Sequence, residues 1–392
     1  MRDFHEFQLR GKRVVKRVDI NSPIEAGKVV MNPRLERHGE SIRRLSDAGA
    51  MVIVIAHQGR EGNADFVGLS EHARMLEGIM KRQVEFVPST EPEAVRAAIE
   101  RMGEGDILLL ENVRMWEGEW GEPADSLLVK TLAPMADLFV LDSLSVSHRE
   151  HASVIGLAGH APSAVGPVLR RELDALQDAE GGNATLILGG GKVKDSLNIM
   201  EKWLKEGKAG KVLLGGAISV FFMNAAGHNV ADTYSYLESK GLLEYTQQAR
   251  ELLFNYREAI VLPEDVGLNI GGSRVEARVG SIARGRIQDI GENTIEKYSE
   301  EIFRAPRIIM NGPMGTYEEE GFGLGTRRIL EAIAESGAHS LIGGGHTITA
   351  IRKNGIPEEK FGYVSLSGKA LMKYLSGKEL PALSAIKKGR GE

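Results

Sequence analysis

Ala184 to Ser196 reads ATLILGGGKVKDS. Five apolar or β-branched residues with the character of a buried strand run into three glycines, Gly189, Gly190 and Gly191, and then into Lys192 at the start of a helix-like segment. In open α/β sheets ligands bind beyond the carboxyl ends of strands. Glycine at such an end lets backbone N–H groups come close to a phosphate at a helix N-terminus. Lys192 would place an ammonium beside that phosphate. The stretch is not a Walker A loop, which needs four residues between its first glycine and a closing Gly-Lys-Ser/Thr.

The same grammar recurs on the C-terminal side. Strand candidates Lys211 to Leu214, Arg307 to Met310 and His339 to Ile342 are followed by Gly215 and Gly216, by Gly312 and Gly315, and by Gly343, Gly344 and Gly345. A further strand candidate is Ala259 to Leu262, and Ile329, Leu330 and Ile333 carry helical spacing between two of these runs. A tight strand-to-helix turn accounts for any one glycine pair. Four such ends in one half of the chain favour a nucleotide site. Toward the N-terminus the strand candidates are Arg13 to Ile20, Met51 to His57, Val84 to Val87, Asp106 to Glu111 and Leu138 to Leu141, with Val95, Ala98, Ile99 and Met102 at helical spacing. Alternating short apolar runs and helical periods are the α/β signature.

From His160 to Gly182 the chain changes character. Pro162, Gly166 and Pro167 lead into a charged helix-like run from Leu169 to Glu180, closed by Gly181 and Gly182, and the domain junction is expected there. Two globular units also follow from 392 residues, more than one core usually serves. The apolar share of 42% and charged share of 26% are those of an ordinary globular protein. A net charge of -5 argues against nucleic-acid binding by bulk electrostatics. The absence of cysteine excludes disulfides, a thiol nucleophile and the usual structural zinc sites, and fits a reducing cytoplasm. No apolar stretch follows the first charges, and Val212 to Met223 is too short to span a bilayer. Neither export nor membrane insertion is expected.

The first half carries a different constellation. Asp19, Asn21, Arg34, His57, Arg60, Arg114, His148, Arg149 and His151 lie at or just beyond strand ends. The guanidinium fork donates two parallel hydrogen bonds and keeps its charge, which suits a phosphate or carboxylate. An isolated arginine is usually a solvated surface residue. Here the polar stretches AHQGR (Ala56 to Arg60) and SHREHAS (Ser147 to Ser153) directly follow apolar strands, so position carries the inference toward a polyanionic small molecule.

Taken together, the motifs resemble the phosphoglycerate kinase family along nearly the whole chain. RVDINSP (Arg17 to Pro23) is similar to the family's RVDFNVP, AHQGR to SHLGR, LLLENVR (Leu108 to Arg114) to LLLENLR, and SHREHAS to AHRAHAS. LGGGKVKDS (Leu188 to Ser196) resembles LGGAKVSDK and MNGPMGTYE (Met310 to Glu318) resembles WNGPMGVFE. IGGGHT (Ile342 to Thr347) and GKELPAL (Gly377 to Leu383) complete the series in the family's order.

The resemblance implies two Rossmann-like, three-layer α/β lobes with parallel sheets, joined by a helix, with a cleft between them. Residues 1–160, joined by the C-terminal segment 378–392, would form the 3-phosphoglycerate lobe. Residues 161–377, linker helix included, would form the nucleotide lobe. By matched position Asp19 and Asn21 would orient the glycerate, and Arg34, His57, Arg60, Arg114 and Arg149 would hold its charged groups. Arg34 and Lys192 would be catalytic. Gly190, Gly191, Gly216, Asn311, Pro313, Glu318, Gly344, Gly345 and Thr347 fall on nucleotide positions, with Glu318 the ribose contact. The cofactor implied is Mg2+ with ATP or ADP. The partners implied are small molecules, 3-phosphoglycerate and ATP, with neither nucleic acid nor membrane, in a cytoplasmic protein that is a monomer or a dimer.

Three departures fall on the nucleotide side. Ser196 stands where many members have a second lysine, with Lys194 a substitute candidate. His346 stands at the position of an aspartate associated with the metal nucleotide, and imidazole is a poor ligand for Mg2+. SLSGKA (Ser365 to Ala370) replaces a glycine-richer STGGGA, which puts Lys369 where backbone N–H groups usually act. These changes resemble the archaeal branch. The expected reaction is direct in-line transfer between 1,3-bisphosphoglycerate and ADP. Two other readings remain: a dinucleotide-dependent oxidoreductase, disfavoured because no GxGxxG with a ribose-binding acid is found, and a binding protein that has lost nucleotide competence.

Overall fold

The structure, a computed structural model, describes residues 1–389. It divides into two compact units, one of Met1–Leu173 together with the chain from Lys378 onward, the other of Asp174–Gly377. The boundary falls inside the helix Pro167–Ala179.

The first unit holds a six-stranded sheet. From edge to edge its order is Glu85–Val87, Ile107–Leu110, Met51–Ile55, Arg13–Arg17, Leu138–Leu141 and Ser163–Val165, every pairing parallel. The central strands are buried on both faces, which is why they read as continuous apolar runs rather than alternating ones. Arg13–Arg17 is the exception: its last two residues, Lys16 and Arg17, are charged and fully buried. Val18 to Ile20 continue from it as buried loop rather than strand. Ser163–Val165 pairs with Leu138–Leu141, so the unit extends past residue 160. In the C-terminal segment Ala382 N donates to Ser147 O; its residues 390–392 lie outside the described residues.

The second unit holds another six-stranded parallel sheet, ordered Ile260–Val261, Ala209–Leu214, Ala184–Leu188, Arg307–Asn311, His339–Gly343 and Tyr363–Val364. Strand order reverses between Ala184–Leu188 and Arg307–Asn311, and a doubly wound sheet opens its ligand crevice beyond the carboxyl ends at that point. A three-stranded antiparallel sheet, Ser273–Arg278, Asp265–Ile270 and Arg286–Ile290, is added to this unit. Among the described residues no helix is long and apolar enough to cross a membrane.

Candidate active site

In the first unit the expected anion-binding residues converge beyond the carboxyl ends of Arg13–Arg17, Met51–Ile55 and Ile107–Leu110. Arg34 is set by the start of the helix Pro33–Asp47. Pro33 takes the first helical position, and Asn32 caps the helix by accepting the Arg34 N–H through its side chain. The Arg34 guanidinium then lies 3.3 Å from Asp19 Oδ2 and donates to Asn21 O at 3.2 Å. Asn21 Oδ1 accepts from Gly59 N at 2.9 Å, tying the first loop to the one that carries His57 and Arg60. Arg114 follows Asn112, whose side chain accepts the Arg114 N–H and donates to Gln58 O and Val67 O.

The electrostatics shows the same convergence. Burial lowers the Arg114 pKa to about 10, and the charges of Arg149, Arg17 and Arg60 act in the same direction. Burial pushes the Asp19 carboxyl up, but Arg34 and a hydrogen bond from Ser145 outweigh it and hold Asp19 well below the usual carboxylate range. Asp19 is therefore a fixed anion among guanidiniums. Burial, reinforced by Arg17, holds His57 well below the ordinary imidazole range. Burial likewise takes His151 down to about 3, with Arg149, Arg17 and Arg114 adding to it.

A second buried network supports these loops. Lys16 Nζ is 2.8 Å from Asp142 Oδ2 and donates to Ser41 Oγ at 2.7 Å, with both charged side chains inaccessible. Asp142 Oδ1 accepts from Val168 N and Leu169 N at the start of the helix Pro167–Ala179, an acid placed where a helix N-terminus favours one. His38 accepts the Asp19 N–H and has its Nδ1 3.9 Å from Asp142 Oδ2. Neither Lys16 nor Asp142 stands out in the sequence except as a charge at the end of an apolar run.

In the second unit a cavity of about 330 Å³ opens at the topological reversal. Gly190, Gly191, Gly216, Pro313 and Glu318 line it, together with His346, Tyr236 and Gln288. Asn311, Gly344, Gly345 and Thr347 sit at the ends of the two adjoining strands, where Thr347 Oγ accepts from Gly312 N at 2.9 Å. The glycines act differently from the sequence expectation. Gly189 N donates to Asn311 O, Gly190 N to Pro313 O and Gly216 N to Met314 O. Those N–H groups are taken up by contacts between loops. What glycine supplies is close approach: a Cβ on Gly312 would lie 2.3 Å from Gly189 O, and one on Gly216 would lie 2.5 Å from Gly190 N.

Lys192 is exposed at the N-cap of the helix Val193–Lys205. Lys194 lies over the Tyr245 ring at 5.1 Å, and Ser196 is buried with no hydrogen bond to its hydroxyl among the described residues. His346 Nδ1 is 3.0 Å from Glu318 Oε1, so the expected ribose ligand already faces an imidazole. Asp289 at the cavity wall is committed to Arg274 at 2.8 Å and to Gly325 N. Among the described residues no group of three or more His, Cys, Asp or Glu side chains is placed to hold a metal.

Guanidiniums gathered at strand ends in one α/β unit and a glycine-lined cavity at the switch point of the other are an arrangement suited to a phosphotransferase. The family model described as phosphoglycerate kinase matches residues 4–378. A phosphoglycerate kinase of Methanothermobacter thermautotrophicus is 38% identical over 98% of this chain and 96% of its own length. One of Methanopyrus kandleri is 37% identical over 97% and 96%. The crystal structure of the Pyrococcus horikoshii OT3 phosphoglycerate kinase superposes with a TM-score of 0.89 at 34% identity, covering 99% of both chains. This chain belongs to the phosphoglycerate kinase family.

Proposed function

We propose that the chain catalyses reversible phosphoryl transfer from 1,3-bisphosphoglycerate to ADP, giving 3-phosphoglycerate and ATP, in glycolysis and gluconeogenesis. The observation that carries the reading is the gathering of Arg34, Arg60, Arg114 and Arg149 around Asp19 and His57 in one unit, while the other opens a glycine-lined cavity. In this reading Asp19 and Asn21 orient the glycerate, and the arginines with His57 hold its carboxylate and phosphate. Arg34, half-buried and steadied by Asp19, and Lys192 are the catalytic residues of this reading, each through the positive charge that it offers to a phosphoryl group. Transfer is direct and in line, and positioned positive charge does the work. The nucleotide occupies the cavity with Gly190, Gly191, Gly216 and Pro313 at its wall and Glu318 toward the ribose, while Asn311, Gly344, Gly345 and Thr347 lie toward its phosphates.

Mg2+ bound to the nucleotide would screen the phosphate charge. Glu318 faces His346 and Asp289 is held by Arg274, so the chain's donors fit a cation carried by phosphate oxygens and water rather than a protein cage. On this reading the enzyme works in the cytoplasm, as a monomer or a dimer. A coupled assay supplying ADP and 1,3-bisphosphoglycerate should form ATP with Mg2+ and lose that activity in its absence. A chain that forms no ATP with Mg2+ present refutes the reading.

A further inference from the structure

Arg17 is a buried charge beside the candidate anion site, with 1% of its surface exposed, and nothing in the proposed reaction uses it. Each of its three nitrogens has a partner within the protein. Nε donates to Ser153 Oγ at 3.2 Å, Nη1 to Val18 O, and Nη2 reaches His57 Nδ1 at 3.2 Å. Arg17 therefore holds protein groups in place instead of gripping a ligand. Beyond Ser153 stands Glu119, also fully buried, whose carboxylate accepts from Ser153 Oγ at 2.6 Å and from Ser153 N at 2.9 Å. Glu119 belongs to the loop after Arg114, and its own carbonyl accepts from Ala152 N.

The chain of donors has only one consistent direction. A guanidinium can donate but cannot accept, so the Ser153 oxygen must accept from Arg17 and pass its own proton toward Glu119. For the same reason His57 Nδ1 must be the acceptor of its contact with Arg17. An imidazolium there would set N–H against N–H. The proton of a neutral imidazole then sits on Nε2, which has no hydrogen-bond partner among the described residues. The charged groups around the ring are Arg17, Asp19, Arg114 and Arg149, and burial with the guanidiniums keeps the ring uncharged. Arg17 itself stays charged, since burial brings its pKa only to about 10 with Glu119 and Asp19 opposing the fall.

We infer that Glu119, Ser153 and Arg17 form a positioning relay that fixes His57 as the neutral Nε2–H tautomer, so that it donates one hydrogen bond to an anionic oxygen of the bound phosphoglycerate. The inference rests on the functional reading for the ligand's identity, but the tautomer does not depend on it. The relay gives the site a donor that adds no positive charge to that of Arg17, Arg114 and Arg149 around the ring. It also gives a fully buried glutamate a role: Glu119 is the countercharge of Arg17, reached through Ser153.

Long-range 1H–15N spectra of the full-length protein labelled at histidine, with His57 assigned through His57→Gln, read the protonated nitrogen directly. The ligand-free wild type at neutral pH should show Nε2–H alone. Arg17→Met should lose that preference and raise KM for 3-phosphoglycerate by about tenfold, with KM for ADP changed less than about twofold. Ser153→Ala, which keeps the volume and is the safer variant for folding, should move both readouts the same way by a smaller factor. A wild-type His57 carrying its proton on Nδ1, or on both nitrogens, overturns the relay. So does a Ser153→Ala protein with tautomer and KM unchanged. Wild-type protein that shows the Nε2–H tautomer but does not turn over 1,3-bisphosphoglycerate contradicts the kinase reading alone.

Discussion

The two candidate sites are built of opposite materials. In the first the pocket is made of side chains: guanidiniums and imidazoles kept in register by buried carboxylates, with Asp19 against Arg34, Glu119 behind Arg17, and Asp142 against Lys16. In the second the cavity is made of backbone, with Gly189, Gly190, Gly216 and Gly312 drawing three loops so close that a methyl group on any of them would meet a neighbouring atom. The first arrangement is sensitive to charge and the second to volume. Substitutions should therefore fail in different ways on the two sides.

The largest effect is expected where charge is buried on both partners. Replacing Lys16 by Met leaves Asp142 anionic and unpaired in the interior, which should lower stability by about 3–5 kcal/mol in denaturant titration. Asp142 also sets a pH signature. Burial raises its pKa, but Lys16 and the His38 contact outweigh burial and hold it well below the ordinary value. The folded state thus keeps this carboxylate ionised where the unfolded chain protonates it. Its contribution is present above about pH 4 and is lost as pH falls below that, so Asp142→Asn should flatten the acid limb of the stability curve. An unaltered limb would mean that the pair is electrostatically idle.

Next comes the exposed charge on the backbone side. Lys192→Ala should lower kcat by about 10²–10³ while ADP affinity changes little, if the ammonium acts as proposed on charge that develops in the transition state. Equal losses in kcat and in affinity would make it an ordinary nucleotide contact. Smaller again is Gly216→Ala. The residue sits at φ 55°, and the added Cβ would press on Gly190 N. About 1–3 kcal/mol of stability should be lost, with ADP binding weakened and 3-phosphoglycerate binding retained. At the low end Arg101→Ala, which removes an exposed pair with Glu85 at 3.2 Å, should change stability by less than about 1 kcal/mol.

The sequence disclosed the parallel sheets because strands buried on both faces leave uninterrupted apolar runs. Leu138–Leu141 and Ala184–Leu188 coincide with their expected bounds. Ser163–Val165 escaped notice because three residues set between Pro162 and Gly166 carry turn signals stronger than any strand signal. The antiparallel sheet was silent for another reason: Ser273–Arg278 is largely exposed and polar, so periodicity had little to report. At the anion site, residue type and strand-end position were enough to single out Arg34, His57, Arg114 and Arg149. Arg17 and Glu119 were not singled out, because their significance lies in a contact through Ser153, 136 residues from Arg17. On the other side the glycines were legible, but not the partners of their N–H groups. Only the structure shows the N–H groups of Gly189, Gly190 and Gly216 turned to neighbouring loops.

The division of labour between the units can be tested by calorimetry on two full-length variants, Arg149→Ala and Gly191→Val, the latter placing bulk where the Gly191 Cβ direction meets Tyr236 OH at 3.4 Å. Arg149→Ala should bind Mg-ADP as the wild type does and bind 3-phosphoglycerate at least about tenfold more weakly, and Gly191→Val should show the reverse. Loss of both ligands in each variant, or of the wrong ligand in either, would contradict the assignment of separate anion sites to the two units.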